Sequence, residues 1–245
     1  MRLPLCTLLT AALLCTQASA ATLYDAGAGT LPSVQGWTSL QLGPAPLQSV
    51  SGGLYKLDTT AASYFGNTLA GSPVLDTAAG FDLVFTLRLQ SETHIGLNRS
   101  GYSVVMIGSD PTHALELGFW SGEVFAYDYN GADPDRFVHG AGAAFDTTAA
   151  LVNYTLSVRN QQFSFSANGT PLLAGSLRNY TAGGPPYTTP NFLFFGDDSS
   201  RGTSISELAF VSLTPVPEPA PVLLLAAGMA ALLGRRAGFG THHKN

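Results

Sequence analysis

The feature that most constrains the fold is a strict alternation of apolar side chains over residues 81–89. Phe81, Leu83, Phe85, Leu87 and Leu89 recur at every second position. Successive side chains of a β-strand point to opposite faces, so this spacing predicts a strand with one face in a core. The segment therefore predicts sheet structure, and no stretch of residues 21–213 has the pattern of an amphipathic helix.

Further strands are predicted at short spacing along the chain. Residues 102–107, 114–120 and 123–129 are rich in apolar and aromatic residues, and the turn sequences 108–111 and 121–122 separate them. Several short strands with turn signals between them are typical of a sandwich or barrel. We therefore predict an all-β fold, an antiparallel two-sheet jelly-roll sandwich with little helix, over residues 21–213.

The clearest local element is a hairpin closed by Asn168 and Gly169. Both central residues of a type I′ turn need positive φ, which Asn and Gly tolerate best. The strands on either side carry apolar residues at every second position. The residues predicted to face the core in this region are Tyr154, Leu156, Val158, Phe163 and Phe165.

The N-terminus has the pattern of a secretory signal. Arg2 supplies a positive charge, residues 3–15 supply an apolar segment, and a small-x-small cleavage site ends at Ala20. We predict that residues 1–20 are removed after passage through the Sec translocon and that the mature chain begins at Ala21. The only two cysteines, Cys6 and Cys15, lie inside this signal. The exported domain would therefore contain neither a disulfide nor a thiol nucleophile.

The C-terminus combines three elements. Val216-Pro217-Glu218-Pro219 lies in a Pro-rich linker at residues 214–219, an apolar run follows at 220–234, and Arg235-Arg236 opens a tail at 235–245. The prolines disfavour helix, the apolar run can enter a bilayer as a short transmembrane helix, and the arginines favour the cytoplasmic side.

This arrangement resembles the PEP-CTERM sorting signal of exopolysaccharide-producing Gram-negative bacteria. The resemblance implies recognition and cleavage by an exosortase in the inner membrane, followed by release to the cell surface or the extracellular space.

The net charge of the predicted exported domain limits the classes of molecule that it can bind. Residues 21–215 contain seven Lys and Arg side chains against fifteen carboxylates, a formal charge of −8. Such a surface disfavours nucleic acid and anionic membranes. Neutral polysaccharides are compatible with it.

The strand pattern itself resembles laminin-G-like and concanavalin-A-like jelly rolls. The strand, turn, strand and Asn-Gly order of residues 153–175, the segment 191–198 and the closing strand 204–213 carry the resemblance. Together with the C-terminal signal, the chain resembles exported "choice-of-anchor" domains. The resemblance implies a surface-anchored protein without a defined activity, and we favour a non-catalytic surface or matrix protein associated with exopolysaccharide or biofilm.

No catalytic motif is evident in the sequence. Jelly-roll glucanases place closely spaced carboxylates on one strand, and that pattern is absent; Glu116 and Glu123 are interpreted as solvated strand and turn carboxylates. His94, His113 and His139 are dispersed, without the spacing of a metal site. We therefore predict that the domain is not an enzyme. Two alternatives remain open: a glycoside hydrolase with carboxylates from separate strands, or a calcium-dependent lectin.

A few residues are candidates for ligand binding. Trp120, Tyr127 and Tyr129 can stack on a sugar ring. Because Tyr127 and Tyr129 share a strand face with Phe125, core packing is the favoured interpretation of these two tyrosines. Asp197 and Asp198 follow a predicted strand and can donate oxygens to Ca²⁺, which needs six to eight such ligands. No other cofactor is expected.

Overall fold

The computed structural model describes residues 19–216, apart from 63 and 134. Most of the predicted signal, together with Pro217-Glu218-Pro219, the run 220–234 and Arg235-Arg236, lies outside the described residues. In the described part of the chain, no helix has the length and apolar character needed to cross a bilayer.

The described residues form fifteen strands and three short 3₁₀ turns. The turns are Ala26–Ala28, Pro32–Gln35 and Thr181–Gly183. The strands are β1 (Ala21–Asp25), β2 (Thr38–Gln41), β3 (Leu47–Ser51), β4 (Leu54–Asp58), β5 (Phe65–Ala70), β6 (Phe81–His94), β7 (Ser103–Ile107), β8 (Ala114–Trp120), β9 (Glu123–Tyr129), β10 (Phe137–Ala144), β11 (Val152–Arg159), β12 (Gln162–Ala167), β13 (Thr170–Ser176), β14 (Phe192–Asp197) and β15 (Gly202–Pro215).

The strands make two antiparallel sheets. The back sheet has the order β13-β12-β11-β6-β15-β4-β3, with β1 also paired to β15. The front sheet has the order β10-β9-β8-β7-β14-β5-β2. Neighbours in both sheets are often distant in sequence, as in β6 with β15 and β7 with β14. The predicted all-β, jelly-roll-like sandwich is confirmed.

The main core lies between the two sheets and is rich in aromatic rings. Phe85 of the back sheet meets Phe195 of the front sheet edge-on, with ring centroids 5.3 Å apart. Tyr154 stacks on Phe165 at 5.4 Å. All eight residues predicted to face the core are buried in it, namely Phe81, Leu83, Phe85, Tyr154, Leu156, Val158, Phe163 and Phe165. The strand register deduced from alternation is therefore correct.

The predicted hairpin is also confirmed. Asn168 has φ 48° and Gly169 has φ 80°, so both central residues occupy the left-handed region that a type I′ turn requires. The turn joins β12 to β13, and β11 pairs with β6 on the other side, placing Tyr154 opposite Phe85.

The front sheet is buried on its outer face as well. A second apolar cluster there includes Val105, Phe125, Phe192 and Phe194. The segment 178–191 crosses this face: Arg178 exchanges backbone hydrogen bonds of 2.7 and 2.8 Å with Ala114 of β8. The outer face is therefore a covered surface rather than a solvated one.

Candidate functional site

The central residue of the candidate site is Glu116, in the middle of β8 on the outer face of the front sheet. Its side chain is fully buried, so the interpretation of this residue as a solvated strand carboxylate is wrong. Burial, and then the charge and hydrogen bonding of Asp198, raise the pKa of Glu116 well above its ordinary value. Burial and the neighbouring Asp198 therefore favour the protonated form of Glu116.

Glu116 and Asp198 form a carboxyl pair with a distinctive hydrogen-bond pattern. Tyr187 donates from its hydroxyl to Oε2 of Glu116 at 2.7 Å, and Ser103 donates from Oγ to Oδ1 of Asp198 at 2.9 Å. Among the described residues, nothing donates to the other oxygens, Oε1 of Glu116 and Oδ2 of Asp198. Hydrogen bonding between the two carboxyl groups favours a proton on Glu116.

A cavity of about 250 Å³ opens beside this pair. Asp197, Asp198, Arg99 and Tyr187 supply its polar groups. The rest of the lining is mainly apolar and comes from β2, β7, β10, β14, the covering segment and the residues between β2 and β5: Leu40, Leu42, Tyr64, Val105, Phe137, Pro185, Pro186, Phe192 and Phe194. The arrangement joins an acidic pair and a cation to a largely apolar wall.

Arg99 is the cation of this cavity, and the loop before β7 carries it. Its Nη2 donates to the backbone oxygen of Asp135 at 2.8 Å, and its guanidinium lies 5.4 Å from the ring centre of Phe137. Burial lowers its pKa, but the charges of Asp198 and Glu116 outweigh burial and raise it. Arg99 therefore remains charged beside the carboxyl pair.

The three aromatic residues proposed to stack on sugar lie on this outer face. Tyr127 is fully buried, and its hydroxyl accepts a 2.9 Å hydrogen bond from the backbone N–H of Ser100; it has no face free for a sugar. Trp120 is partly exposed, and its Nε1 donates to the backbone oxygen of Arg99 at 2.7 Å. Tyr129 is partly exposed and packs edge-on against Phe137 at 5.3 Å.

Two of the three histidines that look dispersed in sequence meet at Trp120. His94 stacks on the indole at 4.2 Å with the rings nearly parallel, and His139 lies 4.9 Å from it. Each has a carboxylate partner, His94 with Glu92 at 3.0 Å and His139 with Glu123 at 3.1 Å. Both imidazole rings therefore pack against Trp120. Glu123 is thus a paired carboxylate.

His113 stays apart from this cluster, 3.2 Å from Asp110.

Asp197 and Asp198, the proposed calcium ligands, contact different partners. Oδ1 of Asp197 accepts from the backbone N–H of Ser199 at 2.9 Å, and burial raises the pKa of Asp197 to about 8. Asp198 instead contacts Ser103 and Glu116. No group of three or more potential ligands in the described residues is arranged to hold a metal ion. Calcium binding at this pair stays a prediction.

The chain matches no protein-family model and no curated protein. Among solved structures, it is similar to the carbohydrate esterase vb_24B_21 of Shiga toxin-encoding bacteriophage phi24B, with TM-score 0.58 and 15% identity over 81% of this chain and 100% of that one. It is also similar to the metal-free carbohydrate recognition domain of Emp46p (TM-score 0.49, 12% identity, 78% and 94% of the two chains). The Family 7 alginate lyase A1-II′ gives TM-score 0.43 and 15% identity over 74% and 94%.

These comparisons correct one prediction from the sequence. The domain was expected not to be an enzyme because no linear catalytic motif was found. A chain solved as a carbohydrate esterase shares this fold along its whole length, and the sandwich brings together carboxyl groups that no local motif connects. The prediction that the domain is not an enzyme is therefore wrong.

Proposed function

We propose that this chain is a glycan-active enzyme in which Glu116 and Asp198 form the acid–base pair. One observation carries the proposal: a fully buried carboxyl group meets a second one at the edge of a cavity, and each has an oxygen without a donor among the described residues. A buried carboxyl group whose pKa is raised, in contact with a second carboxyl group, is suited to acid–base chemistry.

The roles follow from which atoms reach the cavity. Asp198 lines the cavity and accepts a proton from an attacking hydroxyl or water, while the proton held on Glu116 moves through the pair to the leaving oxygen of the sugar bond. Retaining hydrolases keep their two carboxyl groups about 5 Å apart so that one can act as nucleophile. Glu116 and Asp198 are in hydrogen-bonding contact, so the pair acts as one acid–base unit.

Arg99 and Tyr187 complete the polar end of the cavity. Tyr187 fixes Glu116 through its hydrogen bond to Oε2. Arg99 places a positive charge near the pair, where it stabilises negative charge that develops on a sugar oxygen during bond cleavage.

The test compares Glu116→Gln and Asp198→Asn with wild type, using the full-length protein and a panel of polysaccharides assayed for new reducing ends and released acids. Both substitutions should lower turnover by at least about 100-fold, the contribution typical of a positioned acid or base. Glu123→Gln is the matched control, because Glu123 lies outside the cavity and pairs with His139. Full turnover in both cavity variants, or polysaccharide binding without any turnover by wild type, would contradict the proposal.

We also propose that the enzyme works outside the cell in an exopolysaccharide layer. The supporting features are the signal pattern ending at Ala20, the Pro217-Glu218-Pro219 motif, the apolar run 220–234 and Arg235-Arg236. In this proposal the Sec translocon exports the chain, the C-terminal run holds it in the inner membrane, and an exosortase releases it.

Replacing residues 217–219 with three alanines leaves the apolar run and both arginines in place. This variant should insert normally but remain full-length in the inner membrane, whereas wild type loses everything after the Pro-Glu-Pro region. Intact-mass measurement of the protein produced in a host with an exosortase shows whether the C-terminal residues have been removed. A mature wild-type chain that still ends at Asn245 would refute the sorting assignment.

A further inference from the structure

The cavity beside the carboxyl pair is lined by both polar and apolar side chains. Its polar groups come from Arg99, Tyr187, Asp197 and Asp198, and the proposed chemistry takes place at Asp198. Leu40, Leu42 and other apolar side chains form the apolar part of the lining, here called the leucine wall. Both leucines are exposed, with 41% and 61% of their surface accessible, so this wall is open to a ligand.

The leucine wall restricts which sugars fit the cavity. An unmodified sugar carries hydroxyl groups around its whole ring, and those facing the leucine wall would lose water without gaining a hydrogen-bond partner, which is costly. A sugar with a short apolar substituent on that side avoids the cost. Burial of the substituent against the leucine wall instead favours binding, because burial of one methyl group raises the affinity about fourfold.

Tyr64 supports a ligand role for this wall. Its φ is 53°, in the left-handed region that bulky residues rarely adopt. Its backbone oxygen accepts a 2.9 Å hydrogen bond from Leu42, so the unusual conformation is coupled to the leucine wall. Strained residues of this kind cluster at binding sites.

We infer that the substrate is a polysaccharide whose sugars carry short acyl esters, and that the acyl group packs against Leu40, Leu42 and Tyr64. This inference rests on the proposed function, since it places the sugar ring at Arg99 and Asp198. The acyl group is the part that is recognised, and the proposed bond cleavage occurs at the polar end of the cavity.

The experiment measures binding of the full-length protein by affinity electrophoresis. The probes are acetylated xylan, xanthan and gellan, each paired with the same polymer after alkaline de-O-acetylation. At least one acetylated form should bind three- to tenfold more tightly than its deacetylated partner. Leu42→Ser should reduce that ratio toward one, with the larger loss of affinity for the acetylated polymer. Leu47→Ser is the control, because Leu47 is 72% exposed on β3 of the back sheet and does not line the cavity.

The outcomes separate this inference from the proposed function. Equal or weaker binding of every acetylated form, or no binding of any polymer, overturns the inference. An equal loss for both forms in Leu42→Ser also overturns it. A preference for the acetyl group that depends on Leu42 supports the inference even when Glu116→Gln leaves turnover unchanged, a result that would refute only the catalytic roles.

Discussion

The hydroxyl of Tyr187 donates a 2.7 Å hydrogen bond to Oε2 of Glu116. Tyr187 belongs to the segment 178–191 that covers the front sheet, whereas Glu116 lies in the middle of β8 beneath that cover. The bond therefore links the position of the covering segment to the protonation of a buried carboxyl group. This coupling makes Tyr187 a positioning residue for the pair.

Replacement of Tyr187 by Phe tests that coupling. The hydrogen bond from Tyr187 lowers the pKa of Glu116, against the larger effect of burial; its removal should therefore raise the pKa of Glu116 further. Glu116 would keep its proton to higher pH, so the alkaline limb of the pH–activity profile should move to higher pH. The free energy of unfolding should fall by about 1 kcal/mol, the usual cost of one lost hydrogen bond.

Tyr129→Phe is the control for this substitution. Tyr129 also lies on the outer face, but its hydroxyl makes no hydrogen bond with the described residues, and its neighbour is the ring of Phe137. Tyr129→Phe should leave the pH–activity profile unchanged. If Tyr187→Phe lowers stability but does not move the profile, Tyr187 supports the fold alone.

Trp120 should affect the cavity through Arg99. Its Nε1 donates a 2.7 Å hydrogen bond to the backbone oxygen of Arg99, so Trp120→Phe should loosen the loop that carries Arg99. Polysaccharide binding should then weaken by about two- to tenfold. This corresponds to a loss of about 0.4–1.4 kcal/mol of binding free energy, in the range of one hydrogen bond. Trp37→Phe is a matched control, since Trp37 loses a similar 2.8 Å bond to the backbone oxygen of Leu23 away from the cavity. Calorimetric titration of both variants would distinguish them, and equal losses would contradict the proposed role.

The parts of the fold that sequence predicts well are those determined locally. The alternation through Phe81, Leu83 and Phe85 depends only on strand geometry, and the hairpin at Asn168 and Gly169 depends only on which residues accept positive φ. For both, the structure agrees with the prediction. Neither requires knowledge of which strands become neighbours.

The carboxyl pair was missed because its members are brought together by topology. Glu116 is in β8 and Asp198 follows β14, and β7 lies between these strands in the front sheet. A local signal was nevertheless present. The outward positions on either side of Glu116 in β8 are Ala114 and Gly118, small residues that leave room for a covering layer, so a lone Glu between them is poorly explained by solvation.

Gly66→Ala should destabilise the wall of the cavity. A Cβ at Gly66 of β5 would lie 2.2 Å from the ring of Phe194, which lines the cavity and is buried. The ring would have to move, and overpacking of this kind costs about 1–3 kcal/mol. Gly122→Ala is the control, because a Cβ there meets nothing within 4 Å. Urea denaturation should show the difference, and a change below about 0.5 kcal/mol for Gly66→Ala would show that Phe194 adapts freely.

Asp197 should make the protein less stable as pH rises. Burial raises its pKa from an ordinary value of 3.8 to about 8 in the folded state. Between about pH 4 and pH 8 the folded chain holds this proton and the unfolded chain does not, so the free energy of unfolding falls with pH across that window. Glu116, whose pKa is also raised, contributes in the same direction.

Asp197→Asn removes the carboxyl group that loses its proton as pH rises. The free energy of unfolding of the variant should therefore depend less on pH between pH 5 and pH 9. At pH 9 the variant should be more stable than wild type by at least about 1 kcal/mol. The control is Asp146→Asn, because hydrogen bonds from Thr148 lower the pKa of Asp146, and the stability it provides is lost only as pH falls below its ordinary range. That variant should be shifted by a constant amount from pH 5 to pH 9, with the wild-type slope. Thermal unfolding across this range decides the prediction: a slope in Asp197→Asn as steep as in wild type would mean that Asp197 is ionised in the folded protein.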